Sequence, residues 1–136
     1  MQTTKINIGN PRENEVYKRA LKFRKEIYTL VKGFPNLEKY NMVDQMRRAS
    51  TSVAANFSEG YRNHYYGKER DRLNTALGSM AEIQAFLDMA RMEDYITQEQ
   101  YLKLDNDAEI IFGMLLAMIR EIDRILDQHD LGEEEK

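Results

Sequence analysis

Residues 42–60 read MVDQMRRASTSVAANFSEG, and this stretch decides the fold. Apolar and small residues recur along it at the spacing of one helix face. The inward positions are Met42, Val43, Met46, Ala49, Ser50, Val53 and Phe57. We predict a helix from about residue 37 to residue 59, with Gly60 as the left-handed residue that ends it.

Three further stretches have helical periodicity, over about residues 13–32, 68–92 and from Thr97 onward. The hydroxyl of Thr97 can cap the last helix while Gln100 reaches back to it. Four long helices with short connections predict an all-α fold, an antiparallel up-and-down four-helix bundle over residues 13–129. We expect a flexible N-terminal lead-in over residues 1–12 and an acidic C-terminal tail over residues 130–136.

Composition excludes several classes of protein. The chain has 136 residues and no cysteine, which rules out disulfide frameworks, thiolate metal sites and cysteine nucleophiles. Its longest uncharged stretches, such as residues 110–119, are too short to cross a bilayer, which takes about 20 apolar residues. The first residues lack the apolar run of a secretory signal. We therefore expect a cytoplasmic protein without a membrane partner.

Charge is distributed unevenly along the chain. Residues 1–72 hold 15 Lys and Arg against 8 Asp and Glu, whereas residues 73–136 hold 5 against 15. This division favours a partner of opposite charge, either nucleic acid or another copy of the chain. The alternative is that solvated helix faces happen to segregate by charge.

The second and third predicted helices are unusual on their outer faces, where a surface helix should be charged. Residues 49–58 contain no charge at all, and small residues lie opposite the core stripe on both helices. Such faces let another backbone approach, so we predict self-association. The candidate interface residues are Arg48, Ser52, Ala55, Glu59, Gly78, Ala81 and Ala85. The alternative is that alanine was selected there for helix propensity alone.

Signatures of catalysis are missing from the sequence. A di-metal bundle needs Glu-x-x-His pairs, but Tyr61 and Leu126 precede the two histidines, His64 and His129, by three residues. The serines have no glycine-flanked elbow, and no glycine loop for phosphate occurs. We predict no catalytic residue, no metal site, no cofactor and no enzymatic activity. An enzyme with an unrecognised site is the alternative, and a deep pocket lined by ionisable groups would indicate it.

One polar cluster has the residue types that bind nucleic acid. Arginine forks suit phosphate, and tyrosines stack on unpaired bases. The candidate residues are Arg47, Arg62, Tyr65, Tyr66, Lys68, Arg70 and Arg72. Glu69 and Asp71 are interleaved with them and dilute the positive field. The competing interpretation is that these arginines pair with carboxylates of the same or a neighbouring chain.

The middle of the chain resembles the bacterial family named after the 23S rRNA intervening sequence, also called the S23 ribosomal protein family. The similar stretches are QMRRAS at 45–50, SVAANFSEGYR at 52–62, LGSMAEIQ at 77–84 and the pairs Phe86-Leu87 and Phe34-Pro35. Ala54 departs from the family, whose members often have proline there, and Gln84 lies near a position usually filled by glutamate.

The resemblance implies a four-helix bundle that assembles into a ring-shaped homopentamer, in a family with no established catalytic activity. It also implies a relation to accessory proteins of diversity-generating retroelements, which bind nucleic acid and a reverse transcriptase. Those proteins are markedly basic, whereas this chain has a pI of about 5.5. We predict a non-enzymatic homo-oligomeric scaffold, with RNA, DNA or a protein as candidate partner. The alternative is a retroelement accessory subunit that binds nucleic acid and a reverse transcriptase.

Overall fold

Four helices form the protein, which is described by a computed structural model over residues 3–134, with side chains over residues 3–130. Two single-turn 3-10 helices, Pro11–Glu13 and Asn36–Glu38, precede the first and second of them. The four are α1 (Glu15–Val31), α2 (Met42–Tyr61), α3 (Tyr66–Met92) and α4 (Gln98–Glu134). Within residues 3–134, no helix combines the length and apolarity needed to cross a membrane.

Helices that follow one another in the chain pack antiparallel, and α4 also packs against α1. Contacts between neighbours show the direction, because residue numbers rise on one helix as they fall on the next. Between α1 and α2, two such contacts are Arg24–Thr51 and Tyr17–Phe57. Between α2 and α3, two are Ser52–Ser79 and Glu59–Arg72. Between α3 and α4, two are Arg70–Asp123 and Asp88–Tyr101. The predicted four-helix bundle is confirmed.

The core consists of the stripes that helical spacing predicts. Every inward residue predicted on α2 is buried, from Met42 to Phe57. Ser50, the polar member of that stripe, donates its hydroxyl to the carbonyl oxygen of Arg47 at 3.0 Å, so its burial leaves no hydroxyl donor unpaired. The predicted cap of α4 is also confirmed, since Thr97 and Gln100 each accept a hydrogen bond from the other's backbone amide.

The predicted bounds of α2 are wrong at both ends. The helix begins at Met42 rather than near residue 37, because Asn36–Glu38 after Pro35 form a separate 3-10 turn. It then continues through Gly60 to Tyr61, and no glycine of the described residues has a positive φ. Gly60 is needed for closeness instead: a Cβ there would lie 3.0 Å from Arg72 Cβ and 3.2 Å from the carbonyl oxygen of Glu69.

We therefore expect Gly60→Ala to destabilise the fold by about 1–3 kcal/mol, since the α2–α3 crossing must widen to admit the methyl group. A methyl group at Gly67 would meet nothing within 4 Å. Gly67→Ala is thus the matched control and should leave stability unchanged or slightly higher. Urea unfolding of both variants checks this. Equal midpoints for Gly60→Ala and the parent chain would contradict the close-packing explanation.

The structure describes parts of both predicted terminal segments. Residues 3–12, part of the predicted flexible lead-in, lie against the α2–α3 turn, where Thr4 forms an antiparallel bridge with Tyr65 and Arg62 donates to the carbonyl oxygen of Gly9. Their polar composition indicated a loose segment, but these backbone contacts fix their path. At the other end α4 runs through residues 130–134, the first part of the predicted tail. Residues 1, 2, 135 and 136 lie outside the described residues.

Candidate functional site

The predicted nucleic-acid residues mostly gather at the α2–α3 turn. Arg62 and Lys68 are exposed there, on either side of Tyr65, whose side chain is 38% exposed. Tyr66 is half-buried beneath the ammonium group of Lys5 and is less accessible to a base than Tyr65. Of the predicted residues, this end of the bundle therefore presents two exposed cations without a carboxylate partner among the described residues, and one exposed aromatic ring.

Two of the predicted phosphate-binding arginines are paired with carboxylates. Arg70 makes a two-point contact with Asp123 of α4, and hydrogen bonding to that carboxylate raises the pKa of the Arg70 guanidinium. Arg72 Nε lies 3.3 Å from Oε2 of Glu59 on α2. These pairs, the competing interpretation of the sequence, reduce the positive charge that the turn offers to phosphate.

Arg47 does not lie with the other candidates. It precedes Arg62 by 15 residues on one helix, a separation of about 22 Å along the axis. Its guanidinium carbon lies 5.5 Å from the centre of the Tyr28 ring, in the seam between α1 and α2. The structure thus separates Arg47 from the α2–α3 turn.

A buried ion pair beside that turn has no signal in the sequence pattern. Lys5 Nζ lies 2.9 Å from Glu69 Oε1, and each side chain is only 7% exposed. The same ammonium donates to the carbonyl oxygens of Gly60 and Tyr61, at the C-terminal end of α2. Because a positive charge there satisfies carbonyls that the helix leaves free, Lys5 acts as a cap supplied from outside the helix.

The predicted interface residues lie on the outer side of α2 and α3. Ala55, Gly78, Ala81 and Ala85 are exposed to solvent in the single chain. Ser52 is half-buried, and its hydroxyl accepts a hydrogen bond from the hydroxyl of Ser79 on α3 at 2.9 Å. We call Ser52, Ala55, Gly78, Ala81 and Ala85 the small-residue face.

The two charged members of the predicted interface have partners within the chain. Arg48 pairs with Asp44 one turn earlier on α2, and Glu59 pairs with Arg72 of α3. Both pairs are largely exposed, so each contributes about 0–1 kcal/mol to the stability of the single chain. Neither residue is a buried unpaired charge.

α4 has a second uncharged surface. Residues 110–119 contain no charged side chain, and on the outside of this segment Ile110 is 39% exposed while Gly113 and Ala117 are exposed too. We call Ile110, Gly113 and Ala117 the α4 face. An outer helix face without charge is unusual for a surface exposed to water.

A groove of about 490 Å³ runs between α1 and α4, and ionisable residues from both helices line it. Lys103 forms ion pairs with two carboxylates that line the groove: its Nζ lies 3.0 Å from Glu26 Oε2 and 2.8 Å from Asp107 Oδ2. Hydrogen bonds from Lys103 to Asp107 and Glu26 raise the pKa of the Lys103 ammonium group, whereas a nucleophilic lysine needs a lowered pKa. Within residues 3–130, no three histidine, aspartate or glutamate side chains are grouped to hold a metal.

Comparisons with known proteins identify one family. The family model of the 23S rRNA-intervening sequence protein matches residues 12–117. Among solved structures, a protein of unknown function from the S23 ribosomal protein family of Bacteroides thetaiotaomicron is 31% identical, with a TM-score of 0.73. The match covers 80% of this chain and 98% of that one. No curated protein matches the sequence.

Proposed function

Because the chain belongs to the 23S rRNA-intervening sequence protein family, we propose that it serves as a homo-oligomeric scaffold of five chains in a ring. The observation that carries this proposal is the small-residue face. Four of its five members are exposed in the single chain, where they present a shallow surface of alanine, glycine and serine. A second copy of the chain can approach such a surface closely without displacing large side chains.

The α4 face supports a ring rather than a symmetric pair. A closed ring is built from head-to-tail contacts, which require two different complementary surfaces on each chain. The small-residue face of one chain and the α4 face of the next fit this requirement, since both are uncharged and Ile110 projects from the second. Contact between them removes apolar surface from water, which stabilises the assembly by roughly 25 cal/mol for each Å² of apolar surface buried.

Mixing two variants tests this pairing. In a head-to-tail ring, Ala81→Arg blocks one surface and Ala117→Arg blocks the other, so each variant alone should be a monomer of 16.0 kDa. Mixed in equal amounts, the variants retain one good contact between them and should form a one-to-one pair. A mixture that stays monomeric, or an Ala117→Arg variant that assembles fully, would contradict the proposed pairing.

RNA is the second candidate partner, and the exposed groups of the α2–α3 turn support it. Arg62 and Lys68 are available for phosphate, Tyr65 is available for a base, and a ring would repeat this set in every chain. With so few free cations per chain, binding should be weak, salt-dependent and indifferent to sequence. The same surface would serve the alternative role, as an accessory subunit that binds nucleic acid and a reverse transcriptase in a retroelement.

For labelled single-stranded RNA at physiological salt, we expect dissociation constants of about 10⁻⁴–10⁻⁶ M, with tighter binding at low salt. The double variant Arg62→Glu/Lys68→Glu should weaken binding strongly, because like charge then faces the phosphates. Lys39→Glu changes an exposed charge elsewhere and is the control. Equal affinity of the two variants would show that the α2–α3 turn is not the RNA surface, and a protein partner would then be the remaining candidate.

A further inference from the structure

Two arginines meet at one tyrosine on the seam between α1 and α2. The guanidinium carbon of Arg24 lies 4.2 Å from the centre of the Tyr28 ring, and that of Arg47 lies 5.5 Å from it. Arg24 also donates from Nη2 to the Tyr28 hydroxyl at 3.0 Å and from Nε to Thr51 Oγ1 at 2.8 Å. Four polar side chains thus converge from two helices, and their arrangement does not involve the small-residue face or the α2–α3 turn.

This cluster lacks the negative charge that accompanies the bundle's other buried or half-buried cations. Lys5, Arg70 and Arg91 each contact a carboxylate. Neither Arg24 nor Arg47 contacts one anywhere in the part of the chain whose side chains are described. The nearest acidic residue along α2, Asp44, lies 3.1 Å from Arg48 instead. Two guanidinium groups beside one ring repel each other unless an anion joins them.

Arg47 shows most clearly that a hydrogen-bond acceptor is missing from this cluster. Its Nε is buried and has no hydrogen-bond partner among the described residues. A buried N–H without an acceptor is unfavourable, so native structures usually supply one. Arg24 uses two of its five N–H donors in hydrogen bonds to Tyr28 and Thr51, and its remaining donors can bind a further acceptor.

The geometry points to a phosphate-binding site formed by Arg24 and Arg47, with Thr51 as a hydroxyl partner and Tyr28 as the surface on which both guanidinium groups are held. Planar guanidinium forks bind phosphate oxygens through paired charge-assisted hydrogen bonds. The contacts of Arg24 with Tyr28 and Thr51 hold its fork in place before the ligand arrives, so less side-chain freedom is lost on binding. The pKa of Tyr28 is lowered by its hydrogen bond to Thr51 and by the nearby arginines, which agrees with a local excess of positive charge.

Side-chain NMR tests the site directly through the arginine Nε–H signals. Inorganic phosphate is titrated against sodium chloride of matched ionic strength, and a single-stranded oligouridylate is titrated separately. The signals of Arg24 and Arg47 should shift and saturate, while that of Arg48, an exposed neighbour on α2, should not. A response to both probes identifies a site for free phosphate, and a response to the oligonucleotide alone identifies a backbone phosphate; either result supports the site.

Three variants complete the experiment. Arg24→Gln and Arg47→Gln should each weaken binding about tenfold, because each removes a charge-assisted contact. Arg47→Lys keeps the charge without the fork and should be intermediate. Arg48→Gln is the matched control and should bind as the parent does. If Arg24 and Arg47 shift no more than Arg48 with either probe, or if the Gln variants of Arg24 and Arg47 bind as tightly as Arg48→Gln, the proposal is wrong.

Discussion

Lys5→Ala should lower the free energy of unfolding by about 3–5 kcal/mol, the usual result of removing one partner of a buried ion pair. The substitution would leave Glu69 as a buried carboxylate without its counter-charge, since both side chains are only 7% exposed. It would also remove the donor to the carbonyl oxygens of Gly60 and Tyr61. We expect residues 3–12 to detach as well, because Lys5 is their most deeply buried cation.

Two further variants make the Lys5 prediction specific. Lys39→Ala removes an exposed lysine and should change stability by less than about 0.5 kcal/mol. The double variant Lys5→Met/Glu69→Leu replaces the pair by apolar groups and should recover most of the loss. Urea unfolding followed by circular dichroism measures all three. A loss below about 1 kcal/mol for Lys5→Ala would mean that water reaches Glu69 and that the pair contributes little.

Ala81→Arg should convert the assembled protein to a 16.0 kDa monomer without loss of helical content. Ala81 is exposed in the single chain, so an arginine there clashes with nothing inside the bundle. Inside an interface, however, the same side chain would bring a large unpaired charge between two apolar surfaces, which is strongly unfavourable. Ala55→Arg should act in the same way from the α2 side of the face.

The control for these variants is Thr29→Arg, which adds the same side chain to an exposed position on α1 outside both proposed faces. It should leave the mass of the assembly unchanged. Light scattering coupled to size exclusion gives the mass, and circular dichroism gives the helical content. An Ala81→Arg variant that keeps the parent mass would remove the small-residue face from the interface.

Sequence periodicity predicts most of the fold because the core of a bundle is a set of stripes. It fails at Gly60, where a local rule for helix ends competes with a contact between two helices. That rule predicts that a glycine at this position ends the helix in a left-handed conformation. In the structure, Gly60 instead lacks a Cβ where Arg72 and the backbone of Glu69 pack closely against it. Only the path of α3 reveals that requirement, so it could not be predicted from α2 alone.

The candidate sites are less predictable, because charge pairs form between distant parts of the chain. The sequence pattern predicts phosphate binding by Arg70, whereas the structure pairs Arg70 with Asp123, which lies 53 residues later on α4. By contrast, the position of Arg47 could have been found, since 15 residues of helix separate it from Arg62. The contact of Arg24 with Tyr28 also has a signal in the sequence, the i,i+4 spacing on α1.

The native mass of the parent protein is the most direct test of the ring. Light scattering at micromolar concentration, repeated over a hundredfold dilution, separates a stable assembly from a monomer. Five chains of 16.0 kDa give about 80 kDa, and we expect this mass to persist through the dilution. A mass of 16.0 kDa at every concentration would contradict self-association, and with it the role proposed for the exposed alanines and glycines of α2, α3 and α4.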